Sequence, residues 1–167
     1  MNKDIVSLFE HAYDLCEDGN YKQALRYYSE ILKHEPKNVK ALIDTGVTYQ
    51  NLGNLKKSIE FYEKSLNLDS KNIDAMINKG SALHALGSFP DAILCYNEAL
   101  KIDKQCAMAY AYKGLSLGEI GDIDAALDNF KKALLIDKDY DVAQISKEVA
   151  QDLLEAIRNE KMKSKKL

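Results

Sequence analysis

The stretch GSALHALGSFPDAILCYNEA, from Gly80 to Ala99, holds two helical patterns separated by Gly87 and by Ser88, a residue able to cap a helix. Glycine just past a helix end takes up the left-handed backbone that terminates it. A short side-chain acceptor beside it can satisfy free N–H groups of the helix that follows. The same pair recurs at steps of 34 residues, as Gly19-Asn20, Gly53-Asn54 and Gly121-Asp122. The spacing predicts four copies of a unit made of helix, tight turn and helix.

Other positions keep the same period. Ala12, Gly46, Gly80 and Gly114 are 34 residues apart, as are Ala24, Ser58, Ala92 and Ala126, and small residues at such points let two helix backbones approach closely. Large groups alternate with them: Tyr28, Tyr62, Tyr96 and Phe130 form one series, Leu32, Leu66, Leu100 and Leu134 a second, and Leu25, Ile59, Ile93 and Leu127 a third. Within each second helix these fall three and four residues apart, which makes one apolar stripe. A unit of this kind cannot bury its own face, so stacking of neighbours must close the core.

This pattern resembles the tetratricopeptide repeat. The family motif has a small residue in the first helix, a turn glycine, an early alanine in the second helix, an aromatic four residues later and a small residue three after that. Gly80, Gly87, Ala92, Tyr96 and Ala99 match it position by position. Residues 5–38, 39–72, 73–106 and 107–140 divide into such repeats without insertion. The resemblance implies an all-α fold, a right-handed α-solenoid of antiparallel helix pairs. The departures are local: Leu8, Leu42, Met76 and Tyr110 replace the family's early Trp. Only Pro36 keeps the exit proline, against Ser70, Lys104 and Lys138, while Ile31 and Ser65 stand where Ala is usual.

Composition agrees with one solenoid domain over 1–160. The chain is 46% hydrophobic with only 8 Gly and 2 Pro, and a formal net charge of -3 gives nucleic acid no general attraction. No apolar run approaches the roughly 20 residues of a membrane helix. The first residues lead into a helix with no apolar signal core, so a cytoplasmic location is expected. Cys16, Cys95 and Cys106 follow no metal-ligand spacing and read as free thiols of a reducing compartment.

The period breaks at the C-terminus. A fifth repeat would have Glu148 at its small-residue position and Glu155 at its turn, so 141–160 is expected to run on as one capping helix. Val142, Ile145, Val149, Leu153 and Ile157, beside Ala143, Ala150 and Leu154, form the apolar face expected to cover the last repeat. Residues 161–167 read as a basic, disordered tail. A contact with nucleic acid or an anionic membrane is the alternative to a solvated helix end, and the solvated end is preferred.

Catalytic chemistry has little to build on. His11, His34 and His84 have no histidine or Glu-x-x-His partner at metal spacing, and each glycine belongs to a turn or a close contact rather than a phosphate-binding loop. His11 is expected in the helix–helix core and His34 at a helix end, in a capping role. No enzyme activity, cofactor or metal is expected.

What remains is the surface. The resemblance implies that the first helices line a concave groove. Transferred to this chain, its lining includes Val6, Phe9, Tyr13, Lys40, Ile43, Asp44, Val47, Gln50, Ile77, Asn78, His84, Met108, Tyr112 and Leu115. For Phe9, Val47 and Leu115 a place between neighbouring first helices is equally open, whereas Tyr13, Ile43, Ile77, Met108 and Tyr112 are expected to be exposed. Gln50, Asn78 and His84 are the hydrogen-bonding candidates. Chaperone-binding relatives grip an acidic C-terminal tail with a clamp of Lys, Asn and Arg. Of those positions only Asn78 matches here, and Asp44 and Asp74 would repel such a tail. The reading is a non-enzymatic adaptor for a protein or peptide segment that is apolar and basic or amphipathic, with no nucleic-acid or membrane partner. The rivals are self-assembly into a homo-oligomer and service as the regulatory partner of a separately encoded enzyme.

Overall fold

The structure, a computed structural model, describes residues 3–164, with the side chains of 4–149, 151, 152 and 155. Its helices are α1 (Lys3–Glu17), α2 (Tyr21–His34), α3 (Val39–Asn51), α4 (Leu55–Leu68), α5 (Ile73–Ala85), α6 (Phe89–Ile102), α7 (Ala107–Glu119), α8 (Ile123–Ile136) and α9 (Asp141–Ser164). There is no strand among the described residues. The chain forms two compact units, Met1–Gly87 and Ser88–Leu167. In the first, α1 to α5 pack each on the next and α3 also touches α5; in the second, α6 to α9 pack in order and α7 also touches α9.

The turns form as the glycines predict. Gly19, Gly53, Gly87 and Gly121 have φ of 74°, 74°, 78° and 84°. In the first turn Asn20 N–H donates to Leu15 O at 2.7 Å and Gly19 N–H to Cys16 O at 3.1 Å, and Asn54 to Tyr49 and Gly53 to Gln50 repeat the pair. These two bonds retire carbonyls that the helix end leaves open. The capping residues divide. Asn54 and Asp122 accept from Lys57 N–H and Ala125 N–H, but Asn20 and Ser88 make no side-chain cap bond. Ser88 donates instead to the Asp91 carboxylate at 2.6 Å. Asn38 and Asn72, the residues just before α3 and α5, cap those helices by accepting from Ala41 and Ala75.

Packing follows the large-to-small alternation. Tyr28 and Tyr62 in the first unit and Tyr96 and Phe130 in the second are all buried. A Cβ placed on Gly46 would lie 2.5 Å from Tyr62 Cε1, and one on Gly114 would lie 2.5 Å from Phe130 Cε1. Glycine is therefore required at both points by contact, not by backbone angle. Ser65, standing where Ala is usual, is buried but donates to Tyr62 O at 2.7 Å, so its hydroxyl is satisfied.

Two histidine expectations are corrected. His11 is exposed rather than in the core; its Nδ1 donates to Ser7 O at 2.7 Å and its ring stacks on Tyr27. His34 lies 3.1 Å from the Glu30 carboxylate one turn back, rather than capping the helix.

The last helix packs differently from its apolar face. Ala143 is buried in a cluster with Ala111 and Ala133, flanked by Tyr110, Leu134 and Tyr140. Ile145 and Val149, expected to cover the last repeat, are 62% and 63% exposed, and Val142 is exposed as well. Ala143 continues the series Ala41, Ala75 and Ala109, all buried, at 34-residue steps. The helix thus docks through the small side that a first helix presents to its predecessor, which turns the larger residues outward. Ala150, Leu153, Leu154 and Ile157 lie outside the described side chains. The helix continues to Ser164, past the expected boundary at 160, because Glu160 to Ser164 contains good helix formers and no breaker. Residues 165–167 of the expected tail lie outside the described residues.

Candidate functional site

In the first unit, the first-helix face is built by α1, α3 and α5. The family resemblance implies that Tyr13 and Asp44 share it, and the structure joins them: Tyr13 OH donates to Asp44 Oδ2 at 2.7 Å. Gln50 makes a second bridge of the same kind. Its Nε2 donates to Ser81 Oγ at 3.2 Å, while its Oε1 accepts from Tyr62 OH at 3.0 Å. Both inter-helix pairs span 31 residues, the repeat length less one short helical step. That offset was the available signal, since residues three apart in phase on successive first helices face each other.

Tyr13 also stacks on Phe9 with ring centroids 5.9 Å apart. Lys40, one turn before Asp44 on α3, sets its ammonium 5.0 Å from the Phe9 ring centre and 4.9 Å from that of Tyr13. These separations lie within the range of cation–π attraction. Phe9 itself is 4% exposed, so the core alternative holds for it, and its ring meets Tyr28 edge-on.

Burial pushes the Asp44 carboxyl above its ordinary value, against the opposing pull of the Tyr13 hydrogen bond and the Lys40 charge. Burial, and next the Asp44 interaction, likewise raise the Tyr13, Tyr28 and Tyr62 phenols, which stay neutral donors at physiological pH. A carboxyl with a raised native value binds its proton more tightly folded than unfolded, so its contribution to stability falls as pH rises from its ordinary value of 3.8 through the native one. Asp44→Asn keeps an acceptor for Tyr13 and removes the titration. The expected result is a variant more stable than the parent at pH 7, with the difference shrinking toward pH 3. Urea unfolding across that range measures it, and a variant less stable at pH 7 refutes the assignment.

The remaining sequence candidates distribute unevenly. Val6 and Lys40 are exposed, and Ile43, Val47, Asn78 and His84 are half-buried. Ile77, expected on the surface, is 4% exposed and belongs to the core. An isoleucine there fills space between packed helices, and helical periodicity could not separate the two sides of α5. Gln50 is half-buried with both ends of its amide bonded within the unit, so it braces α3 rather than waiting for a partner.

In the second unit Met108 is exposed and Tyr112 and Leu115 are half-buried. Tyr112 lies beside Tyr96, with centroids 6.1 Å apart. It also faces Tyr140, whose phenol is pushed up to about 12, first by burial and then by the Tyr112 charge and hydrogen bond. A cleft of about 270 Å³ opens among α7, α8 and α9, lined by Leu115, Gly118, Ile123, Phe130, Ile145 and Val149. The periodic pattern does not announce this cleft. Its one signal is Gly118, which stands where the other repeats carry Cys16, Gln50 and His84.

Among the described residues no three His, Cys, Asp or Glu side chains are grouped to hold a metal ion, and no helix is long and apolar enough to cross a membrane.

Family models described as tetratricopeptide repeat match residues 15–63 and 107–140, and one described as TPR repeat matches 80–121. No curated protein matches the chain. Among solved structures, MamA protein is 26% identical, with 99% of this chain and 90% of that one covered and a TM-score of 0.78. YrrB, described as a TPR protein with an unusual peptide-binding site, is 22% identical over 92% of this chain and 80% of its own, with a TM-score of 0.69. The first TPR of Spaghetti (RPAP3), bound to the HSP90 peptide SRMEEVD, is 21% identical over 70% of this chain and 92% of its own, with a TM-score of 0.67. The α-solenoid fold of these structures, the three family matches and the 34-residue order of turn glycines and buried aromatics agree: the chain belongs to the tetratricopeptide repeat family.

Proposed function

We propose that this member of a family of protein-interaction scaffolds is a non-enzymatic adaptor, which seats an apolar and basic or amphipathic segment on the first-helix face. The observation that carries the reading is the mixed chemistry of the α1 and α3 surface. Half-buried Ile43 and Val47 lie on the same helix as Asp44, which is also half-buried and whose carboxyl burial pushes above its ordinary value. Half-exposed aliphatic groups gain from a covering apolar partner, and a half-buried anion gains from a cation. An acidic tail like the one held by the RPAP3 repeat is disfavoured here, because Asp44 and the exposed Asp74 present the wrong charge.

Ile43 and Val47 changed together to Ala test the reading. Ile77 is left in place, because truncating a buried isoleucine would itself cost roughly 2–5 kcal/mol. The double variant is expected to keep its helical signal and to lose partner capture from native extract by at least about tenfold. Unchanged capture refutes the adaptor reading.

Self-association is the second reading, favoured by one observation: Val142, Ile145 and Val149 form an exposed apolar row on α9. Sedimentation at several concentrations tests it. A mass that rises with concentration in the parent and falls to the monomer in Ile145→Asp/Val149→Asp supports it, and a parent that stays monomeric refutes it.

A further inference from the structure

The Lys40 ammonium is not placed by an ion pair. It makes no contact within 4.0 Å of a carboxylate among the described residues, and rests instead over two aromatic rings with Asp44 one turn away. Asp44 uses Oδ2 for Tyr13 and makes no other side-chain hydrogen bond among the described residues, although a carboxylate can accept several. A half-buried carboxylate near the π faces of two rings is the chemistry that receives a cation, and here the chain's own lysine lies over those rings. The other repeats lack the combination. At the position of Asp44 they carry Glu10, Asn78 and Tyr112, and at that of Lys40 they carry Val6, Asp74 and Met108.

We infer that Phe9, Tyr13 and Asp44 form a receiving site for a lysine or arginine side chain of the bound segment, and that Lys40 occupies this site in the free protein. The inference rests on the adaptor reading and names the feature of the partner that the face selects. The incoming cation comes from a protein segment rather than a free polyamine, because Ile43 and Val47 beside the site need apolar cover that a polyamine does not provide. Entry requires the Lys40 side chain to swing into water. This is an inexpensive motion for an exposed lysine, and it leaves the Tyr13–Asp44 bond in place. Lys40 thereby sets a threshold: a segment lacking a cation at the right register gains the apolar contacts but does not displace it.

The test uses the full chain and a fluorescent amphipathic helical peptide of leucine and lysine, together with a copy whose central lysine is replaced by norleucine. On the parent protein the lysine peptide is expected to bind about tenfold more tightly than the norleucine copy. Lys40→Ala should tighten the lysine peptide by about fivefold or more and leave the norleucine copy within about twofold, while Lys37→Ala, which removes the same charge from the preceding loop, changes neither beyond about twofold. Asp44→Asn, which keeps the acceptor for Tyr13, should weaken the lysine peptide by about tenfold. The side-chain methylene protons of Lys40, shifted upfield by the two rings in the free protein, should return toward their free-lysine positions as the lysine peptide is added. If the two peptides bind alike to the parent and to Lys40→Ala, or if Lys40→Ala tightens both equally, the cation site is overturned. If Ile43→Ala/Val47→Ala still abolishes binding in that case, the adaptor reading survives without it. Absence of binding of either peptide to both proteins overturns the two together.

Discussion

Gly46→Leu is expected to unfold the first unit at a denaturant concentration far below the parent's, with a loss on the order of 3 kcal/mol or more. The first added carbon already falls 2.5 Å from Tyr62 Cε1 and 2.8 Å from Cδ1, and the Tyr62 ring is fully buried, so it cannot move aside into water. Tyr62 OH is moreover tied to Gln50, which is tied in turn to Ser81, so displacing the ring disturbs three helices. Gly114→Leu meets Phe130 in the same way in the second unit. Gly46→Ala already places that first carbon against the ring, so it too is expected to destabilise, by less than the leucine variant, whose further carbons must also be accommodated. Gly118→Ala supplies the opposite sign. That glycine is helical, and a Cβ added to it would meet nothing within 4 Å, so alanine there should stabilise by about 0.5–1 kcal/mol. Urea titrations of the four variants order them, and a Gly46→Leu protein as stable as the parent refutes the packing account.

The fold was legible because its determinants are local and repeat. Each turn needs one residue with positive φ, each helix pair needs one close approach, and the chain states both four times in register. What failed were features set by a single side chain's choice among neighbours. Asn20 and Ser88 have the right chemistry for a cap but find other geometry, and His11 lies at a packing position yet turns out to the surface against Tyr27. Helical periodicity fixes which stripe a residue belongs to within about one position, and a first helix of a stacked array has apolar neighbours on more than one side. Ile77 and Ile145 therefore exchanged places with expectation: the first is in the core and the second in water.

The candidate face was legible as a set of positions and not as a set of interactions. The groove positions implied by the family resemblance include Tyr13, Lys40, Asp44 and Gln50, but nothing in the resemblance says that they contact one another. Their pairing depends on the offset between successive first helices, which brings residues 31 apart together. Once that offset is known, a polar side chain at one position has a defined partner in the next repeat, and the residues most available to a ligand are those that keep hydrogen-bonding capacity after that pairing. By that criterion Gln50 is a brace, whereas Asp44 keeps acceptor capacity beyond Tyr13.

Deletion of 141–167 carries the second large effect. Ala143 is wholly buried against Ala111 and Ala133, with Leu134, Tyr110 and Tyr140 closing around it. Without α9 those groups and the lining of the neighbouring cleft, Leu115, Ile123 and Phe130, would face water. The second unit is expected to lose roughly 2 kcal/mol or more, and the truncated chain to associate at concentrations where the parent does not. Two variants locate the cause. Ala143→Leu, which overfills the alanine contact, should reproduce part of the destabilisation, about 1–3 kcal/mol. Ile145→Asp/Val149→Asp should leave stability nearly unchanged, because both side chains are mostly in water, 62% and 63% exposed. Deletion of 161–167 alone should also be neutral, since Ala143, the buried residue of α9 among those whose side chains are described, lies more than four turns away. If the protein ending at residue 140 were a soluble monomer as stable as the parent, α9 would not be a cap. If the two aspartates proved as harmful as the deletion, the cap would act through the apolar row rather than through Ala143.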